Sequence, residues 1–374
     1  TAAIKAGAGL LVVSEDKLPA LGRIIAPLIV VPDVLAALEA AGMAARSRTR
    51  AKVIAVTGAA GKTTTKEALR LVLSASGTVH ASAQSFNNHW GVPLTLARMP
   101  EDCDYAVFEI GMNHPGEIGH LARFVRPHVA LVTLIAPAHL GHFSSLGEIA
   151  RAKAEIFDSV EPGGHALVNH DDGQWKFLAQ AAHDAGVEHV WSFGEHARAT
   201  FRLAAWEPAA GGSHIRVAMA GREIAATIGA PGRHIVQNAL AVLGAAYLTG
   251  ADVEKAAAAL RGFAAETGRG RQHRLAHPSG GTFLLIDESY NANPASMKAA
   301  LAVLGAMPVA ESGRRIAVLG DMLELGEQSQ ALHAGLAAPL AEAGADRVLL
   351  GGPEMAALAE ALPADMPCKH RDSA

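Results

Sequence analysis

The residues best placed to do chemistry begin with Gly58-Ala59-Ala60-Gly61-Lys62-Thr63-Thr64, directly after Val53-Ile-Ala-Val-Thr57. Apolar, mostly β-branched residues run into a glycine turn and leave it in a helical pattern. That order predicts a buried parallel strand, a tight turn and a helix. Such a turn lets backbone N–H groups converge on phosphate oxygens. Lys62 would neutralise phosphate charge, and the Thr63 hydroxyl would sit on Mg²⁺. The spacing is G-x-x-G-K-T, shorter than the usual G-x-x-x-x-G-K-[ST]. An ordinary βα turn that happens to hold Lys and Thr is the plainer alternative.

Three more side chains extend this chemistry. Glu109, in Val107-Phe-Glu-Ile-Gly111, ends a predicted strand, where parallel sheets bind ligands. A charge inside an apolar run needs a reason. Mg²⁺ beside Thr63 would supply one, and backbone donors another. His139 follows the apolar run 129–135, and a loop histidine taken alone is more often structural or exposed. Lys153 lies in Ser145-Leu-Gly-Glu-Ile-Ala-Arg-Ala-Lys-Ala-Glu-Ile-Phe157, where Ser145 and Glu148 predict a capping box. Glu148, Arg151 and Glu155 mark the wet face, whereas Lys153 stacks with Ile149 and Ile156 on the apolar one. An inward lysine is costly unless paired or chemically changed. Snorkelling outward is the bland explanation.

Three polar stretches complete the set. Asn87-Asn-His-Trp-Gly-Val-Pro-Leu94 either binds polar groups of a substrate or is a well-bonded loop. His234 and Asn238, at i and i+4, share a helix face. Asp287-Glu-Ser-Tyr-Asn291-Ala-Asn293-Pro294 ends another predicted strand. Asn293 suits an N-cap and Pro294 a first turn, so capping competes with any ligand role for Asn293.

The elements that must position these residues alternate strand and helix from residue 52, the signature of a mostly parallel sheet. Strands are expected at 53–57, 105–110, 129–135 and 166–169, and helices at 62–76, 116–125, 145–158 and 173–185. Residues 201–228 alternate apolar and polar around Pro208 and Gly211-Gly212, which predicts an antiparallel ribbon. Helices 234–249 and 252–264 follow. A third α/β unit has strands 283–287, 315–319 and 347–350 and helices 294–306, 329–343 and 354–361. The loop Thr267-Gly-Arg-Gly-Arg-Gln-His-Arg274 reads as the joint before it. Upstream, strands 10–13 and 28–31 and a helix over 34–45 lead to Arg46-Ser-Arg-Thr-Arg50, which reads as a linker.

A length of 374 residues implies roughly two to three domains. Half the residues are hydrophobic and the net charge is −4 with both signs interspersed, which gives no support for nucleic acid as a partner. Two cysteines, Cys103 and Cys368, exclude a disulfide framework and a thiolate-only metal cage, and they fit a reducing cytoplasm. The longest apolar stretch, Ile25 to Ala45, is broken by Pro27, Pro32, Asp33 and Glu39, so no membrane span is expected, nor is a signal peptide. The chain starts inside a helix-like pattern and ends where another helix is expected to begin at 371–374, so both ends read as truncated.

Taken together, these stretches resemble the Mur ligases, the ATP-dependent amide ligases of peptidoglycan precursor synthesis. The resemblance covers nearly all of the chain. Gly58–Thr64 is similar to their nucleotide signature, including its short spacing. Asn87–Pro93, Glu109-Ile-Gly-Met-Asn-His-Pro-Gly-Glu-Ile118, Asp287–Pro294 and Gly320-Asp-Met-Leu-Glu-Leu-Gly-Glu327 resemble the branch that joins D-alanyl-D-alanine to UDP-N-acetylmuramoyl-tripeptide. The Asp-Asn-Pro-Arg expected of the branch adding the third residue is not found. Folylpolyglutamate synthases share the nucleotide loop but not Tyr290-Asn-Ala-Asn-Pro294.

The resemblance implies an α/β, three-domain architecture. Residues 1–48 would be a remnant of the UDP-substrate domain, 49–267 a central ATP-binding P-loop domain with a mostly parallel sheet, and 268–374 a truncated C-terminal Rossmann-like domain. Lys62 and the backbone of Gly58, Ala59, Ala60, Gly61, Thr63 and Thr64 would hold the ATP phosphates. Thr63 and Glu109 would bind one Mg²⁺, and His139 with a carbamylated Lys153 the second. His234 and Asn238 would contact the base side and Arg269 the γ-phosphate. Asp287, Asn291 and Asn293 would close on nucleotide and incoming amine. Substrates would be UDP-N-acetylmuramoyl-tripeptide and D-alanyl-D-alanine, and the enzyme a cytoplasmic monomer. The alternatives are another Mur-type or folylpolyglutamate-type amide ligase, or a non-catalytic nucleotide-binding module. Intact Lys62, Glu109, His139 and Lys153 argue against the module.

Overall fold

The structure, a computed structural model, describes residues 2–22, 26–137, 141, 143–209 and 211–373. Leu11–Ser14 (β1) and Leu28–Val31 (β2) pair in parallel and lead to the helix Val34–Arg48. Asp33 caps it: its Oδ1 accepts from the backbone N–H of Leu35 and Ala36. The helix continues through the segment expected to be a linker. Arg46 is buried, its Nε donating to Val125 O at 2.7 Å and its Nη2 to Arg126 O at 2.6 Å. A guanidinium with carbonyl partners in reach is carried into the interior, which its polar neighbours in sequence did not reveal.

The central sheet has nine strands: Lys52–Thr57 (β3), Val79–Ala81 (β4), Tyr105–Glu109 (β5), Val129–Val132 (β6), His165–Asn169 (β7), His189–Gly194 (β8), Phe201–Ala209 (β9), Gly212–Met219 (β10) and Arg222–Ile228 (β11). Their spatial order is β11-β10-β9-β8-β7-β6-β3-β5-β4. Pairing is parallel from β4 through β9 and antiparallel from β9 to β11, so the expected ribbon closes one edge. β4 and β8 were not expected from sequence.

β3 is central because both its faces are apolar. Ile54 and Val56 pack with Leu69, Val72, Val236 and Leu240 on one face, while Val53 and Ala55 pack with Leu96, Ile118, Leu121 and Ile149 on the other. Burying each large aliphatic side chain contributes roughly 1.5–3 kcal/mol. β3 lies between β5 and β6 although β4 and β5 follow it in sequence, so the chain reverses its direction of travel across the sheet at this point. Parallel sheets open a crevice at the carboxyl ends of their strands there.

Several helices end differently from expectation. Lys62–Leu73 stops at Leu73, and Leu146–Ala154 passes into a 3₁₀ turn, Glu155–Ser159. Ser145 Oγ accepts from Glu148 N–H as expected, but Glu148 Oε2 accepts from Ser144 N–H rather than from the cap residue. Asn88 Oδ1 accepts from Trp90 and Gly91 N–H and starts a short helix, Gly91–Ala97, inside the stretch read as a loop.

After the helices Arg233–Leu248 and Val253–Ala259, only residues 267–270 form the joint. Arg271–Ala276 is a strand (β12), paired antiparallel with Thr282–Asp287 (β13), and not the loop expected. Ile316–Gly320 (β14), Arg347–Gly351 (β15) and Cys368–Arg371 (β16) form a parallel sheet covered by Pro294–Ala306 and shorter helices. The expected helix over 329–343 is two pieces, Ser329–Ala334 and Ala337–Glu342. The helix expected to begin at 371–374 is absent from the described residues, which end in β16. Among the described residues no helix is long and apolar enough to cross a membrane, and both cysteines are free.

One buried histidine ties stability to pH. His128 Nδ1 accepts from Val53 N–H at 3.0 Å. Burial first, and the Arg46 guanidinium next, push its pKa from 6.5 to about 4. Between those values the unfolded chain binds more protons than the folded one, so the contribution is present above about 6.5 and is lost as pH falls towards 4. We expect the urea midpoint to fall across that window. His128→Asn, whose Oδ1 can still accept from Val53, should flatten part of the fall.

Candidate active site

The loop after β3 takes its shape from two glycines. Gly58 has φ +153°, and a Cβ there would collide with Thr133 Oγ1. Gly61 has φ +81°, and a Cβ would lie 2.8 Å from Asn238 Oδ1. Both positions therefore require glycine for space as well as for backbone conformation. The carboxyl end of β6 clamps the loop. Thr133 Oγ1 donates to Ala60 O at 2.6 Å, and Ala59 N–H donates to Leu134 O at 2.7 Å. The loop then enters Lys62–Leu73 with its N–H groups and the positive end of the helix directed outward.

Around this loop a cavity of about 860 Å³ runs from the sheet's carboxyl edge to the joint and the start of the third unit. Of the residues selected by sequence, Ala59, Ala60, Gly61, Lys62, Thr63, Thr64, Glu109, His234, Asn238, Arg269, Asn291 and Asn293 line it. Gly58 lies behind the loop against Thr133. Lys153 is buried and, like the half-buried Asp287, lies outside the lining. His139 lies outside the described residues.

Glu109 is 1% exposed at the end of β5. Its Oε1 accepts from Asn87 Nδ2 at 2.7 Å, whereas its Oε2 is buried without a hydrogen-bond partner among the described residues. Thr63, also buried, opens onto the same cavity. Among the described residues no group of three or more His, Cys, Asp or Glu side chains is gathered for a metal. One carboxylate oxygen and one hydroxyl beside a phosphate-binding loop fit Mg²⁺, which takes few protein ligands and fills its octahedron with phosphate and water oxygens.

The cations are arranged around that carboxylate. Lys62 Nζ donates to Gly58 O at 2.9 Å. Burial pushes its pKa down, Glu109 pulls it up, and Arg269 pushes it down. Lys153 is held well below the usual lysine range, by burial first and by the charge of Lys62 second. A shift in that direction favours the neutral amine, the form that reacts with CO₂. Arg269 Nη2 donates to Ser85 Oγ at 3.0 Å, and its guanidinium lies 4.0 Å from the Tyr290 ring centroid. His234 is pushed to about 4 by burial, so it meets the cavity as a neutral ring.

Asp287 serves the joint. Its Oδ2 accepts from Gly268 N–H at 2.9 Å, and its Oδ1 accepts from Ser289 Oγ and N–H. Asn293 caps Pro294–Ala306, its Oδ1 accepting from Ser296 N–H, and its Nδ2 also donates to Ala59 O at 3.2 Å. One side chain thus caps a helix through its oxygen and holds the phosphate-binding loop through its nitrogen.

Sequence reasoning missed Lys66, Thr133 and Glu288. Lys66 is fully buried; its Nζ donates to Ser82 O at 2.9 Å and Gln84 O at 2.7 Å and pairs with Glu67. It fixes the segment that carries Ser85 and Asn87. The signal was present, since Lys66 shares a helical face with Leu69 and Leu73, the same argument that selected Lys153. Thr133 interrupts an apolar strand run as Glu109 does. Glu288 is a second carboxylate beside Asp287 and lines the cavity.

Comparison with known proteins follows this geometry. Residues 56–246 match the family described as Mur ligase middle domain, and 270–373 match Mur ligase, glutamate ligase domain. The UDP-N-acetylmuramoyl-tripeptide–D-alanyl-D-alanine ligase of Escherichia coli (strain K12) is 36% identical over 356 residues, 95% of this chain and 75% of that protein. The ligase of the same name from Rickettsia prowazekii (strain Madrid E) is 35% identical over 325 residues, 87% of this chain and 71% of that protein. A crystal structure of MurF from Acinetobacter baumannii superposes with a TM-score of 0.84 at 33% identity, over 93% of this chain and 74% of that one.

The clamp on the glycine loop gives a direct test. Gly58→Ala should displace the loop from Thr133 and weaken ADP binding at least tenfold by calorimetry. The far-UV spectrum should remain unchanged, because β3 is fixed by its neighbours on both sides.

Proposed function

The chain belongs to the Mur ligase family, and on that premise we propose how its residues divide the work of making one amide bond. It is an ATP-dependent ligase that joins D-alanyl-D-alanine to UDP-N-acetylmuramoyl-tripeptide in peptidoglycan precursor synthesis. The observation that carries the assignment of roles is the half-satisfied Glu109 carboxylate, buried beside a phosphate-binding loop.

Backbone N–H groups of Ala60 to Thr64 cradle the polyphosphate, that of Ala59 being spent on Leu134 O, and Lys62 turns from Gly58 O to the phosphate oxygens. Arg269 reaches the terminal phosphate from the joint, held on course by Ser85 and Tyr290. His234 and Asn238 bound the cavity on the nucleoside side. Glu109 and Thr63 would hold Mg²⁺, with His139 and a carbamylated Lys153 as the second pair. Bound there, magnesium offsets the repulsion between a carboxylate and a triphosphate. Carbamylation would turn Lys153 from a buried amine into an anionic oxygen ligand, the sign required beside a cation.

The tripeptide's terminal carboxylate attacks the γ-phosphorus in line, giving an acyl phosphate and ADP. The amine of D-alanyl-D-alanine then attacks the acyl carbon, and the tetrahedral intermediate collapses with loss of phosphate. Asn291 and Asn293 border this space from the third unit, and Asp287 holds the joint from which Arg269 extends. We assign the enzyme to the cytoplasm as a monomer.

Two measurements test the reading. ATP-dependent phosphate release should require UDP-N-acetylmuramoyl-tripeptide with D-alanyl-D-alanine and should not occur with folate and glutamate; inertness with both pairs would favour a simple nucleotide binder. Lys153→Ala should lower kcat by roughly a hundredfold or more, with partial recovery on adding short carboxylic acids. An unchanged rate would remove the carbamate.

A further inference from the structure

Three carboxylates among the described residues line the cavity. Glu109 is used by the mechanism, Glu117 is engaged by Asn113 N–H and the His114 ring, and Glu288 is left without work on the side from which the amine arrives. We propose that Glu288 is the general base that deprotonates the amine of D-alanyl-D-alanine, an inference that rests on the ligase reading above.

The geometry singles it out. Glu288 follows β13 directly, and Asp287 before it is turned away onto Gly268 N–H. The joint wraps the segment from both sides: Gly270 N–H donates to Asp287 O at 2.8 Å, and Tyr290 N–H donates to Gly268 O at 3.0 Å. Adjacent side chains of an extended chain point to opposite faces, so fixing Asp287 towards the joint sends Glu288 into the cavity. Its Oε1 lies over Gly270, where a Cβ would approach it to 3.1 Å, so a side chain at 270 would press the carboxylate out of place by a few tenths of an ångström. The segment just beyond is anchored to the phosphate-binding loop by Asn293 Nδ2 and Ala59 O. Glu288 therefore belongs to a stretch held at both ends against the transfer site.

Its protonation suits the task. Burial and the neighbouring Asp287 charge raise its pKa to about 7, against the pull of Arg269. Asp287 on its own strand and Arg269 on the joint are the charged groups acting on it. A carboxylate with ordinary acidity is a poor base towards an ammonium; one near neutrality is matched to it.

The step balances. The ammonium gives one proton to the Glu288 carboxylate. The freed nitrogen lone pair forms the C–N bond to the acyl carbon. The C–O bond to the phosphoryl group breaks with its electron pair on the phosphate oxygen, and the second nitrogen proton leaves on inorganic phosphate. Products are the amide, hydrogen phosphate and a protonated Glu288, which returns its proton to solvent.

The test separates the two half-reactions. Wild type, Glu288→Gln and Glu288→Asp are incubated with ATP, Mg²⁺ and UDP-N-acetylmuramoyl-tripeptide. Each receives either D-alanyl-D-alanine or hydroxylamine, a nucleophile already deprotonated at neutral pH. We expect Glu288→Gln to lose amide formation by about a hundredfold or more in kcat while hydroxamate still accumulates. Glu288→Asp should fall between the two, confirming a folded site. The wild-type rate of amide formation should drop below about pH 7, and Glu288→Gln should lack that limb. Near-wild-type amide formation by Glu288→Gln would overturn the proposal, as would equal loss of amide and hydroxamate. Failure of wild type to form either amide or hydroxamate would instead overturn the ligase reading itself.

Discussion

One oxygen atom sets the terms for the rest of the structure. Glu109 Oε2 is buried with no hydrogen-bond donor to it among the described residues. Leaving a buried polar group unmatched costs roughly 1–3 kcal/mol, and more when it carries charge. The fold tolerates that cost only by over-determining the carboxylate's position. β5 is buried along its whole length, Asn87 holds the other oxygen, and Lys66 fixes the segment bearing Asn87 by gripping two carbonyls. The charge is kept where a cation and a polyphosphate can use it, which is how preorganised electrostatics lower a barrier without reorganising at the moment of reaction.

The second constraint is that the reacting groups sit on separate bodies. The loop after β3 and the end of β5 belong to the central sheet, whereas Arg269, Glu288 and Asn293 come from the joint and the unit beyond it. The joint is short and heavily bonded, since Asp287 and Tyr290 both return hydrogen bonds to Gly268. These bonds hold Arg269 and Glu288 in a fixed relation to one another, both on the joint side of the cavity.

Much of this was legible in the sequence because it depends on local pattern. The glycine loop between β3 and its helix, Glu109 at a strand end and the inward Lys153 all follow from periodicity and from charge placed in apolar company. What escaped depends on partners distant in sequence. Arg46 looks like linker until Val125 and Arg126 offer their carbonyls. β4 is three residues long and β8 mixes polar with aromatic residues, so neither announces itself without the sheet that pairs it. β12 is rich in Arg, Gln and His and becomes a strand only through its register with β13. Lys66 shares its face with Leu69 and Leu73 as Lys153 does with Ile149 and Ile156, but the carbonyls it grips, on Ser82 and Gln84, lie well beyond its own helix.

Asn293 has a wider meaning than its two hydrogen bonds. By capping one helix while holding the carbonyl of Ala59, it makes the first turn of Pro294–Ala306 and the nucleotide loop share a single rotamer. A change of that rotamer would break the helix cap and the contact with the loop at once, so the two elements are registered against each other by one amide.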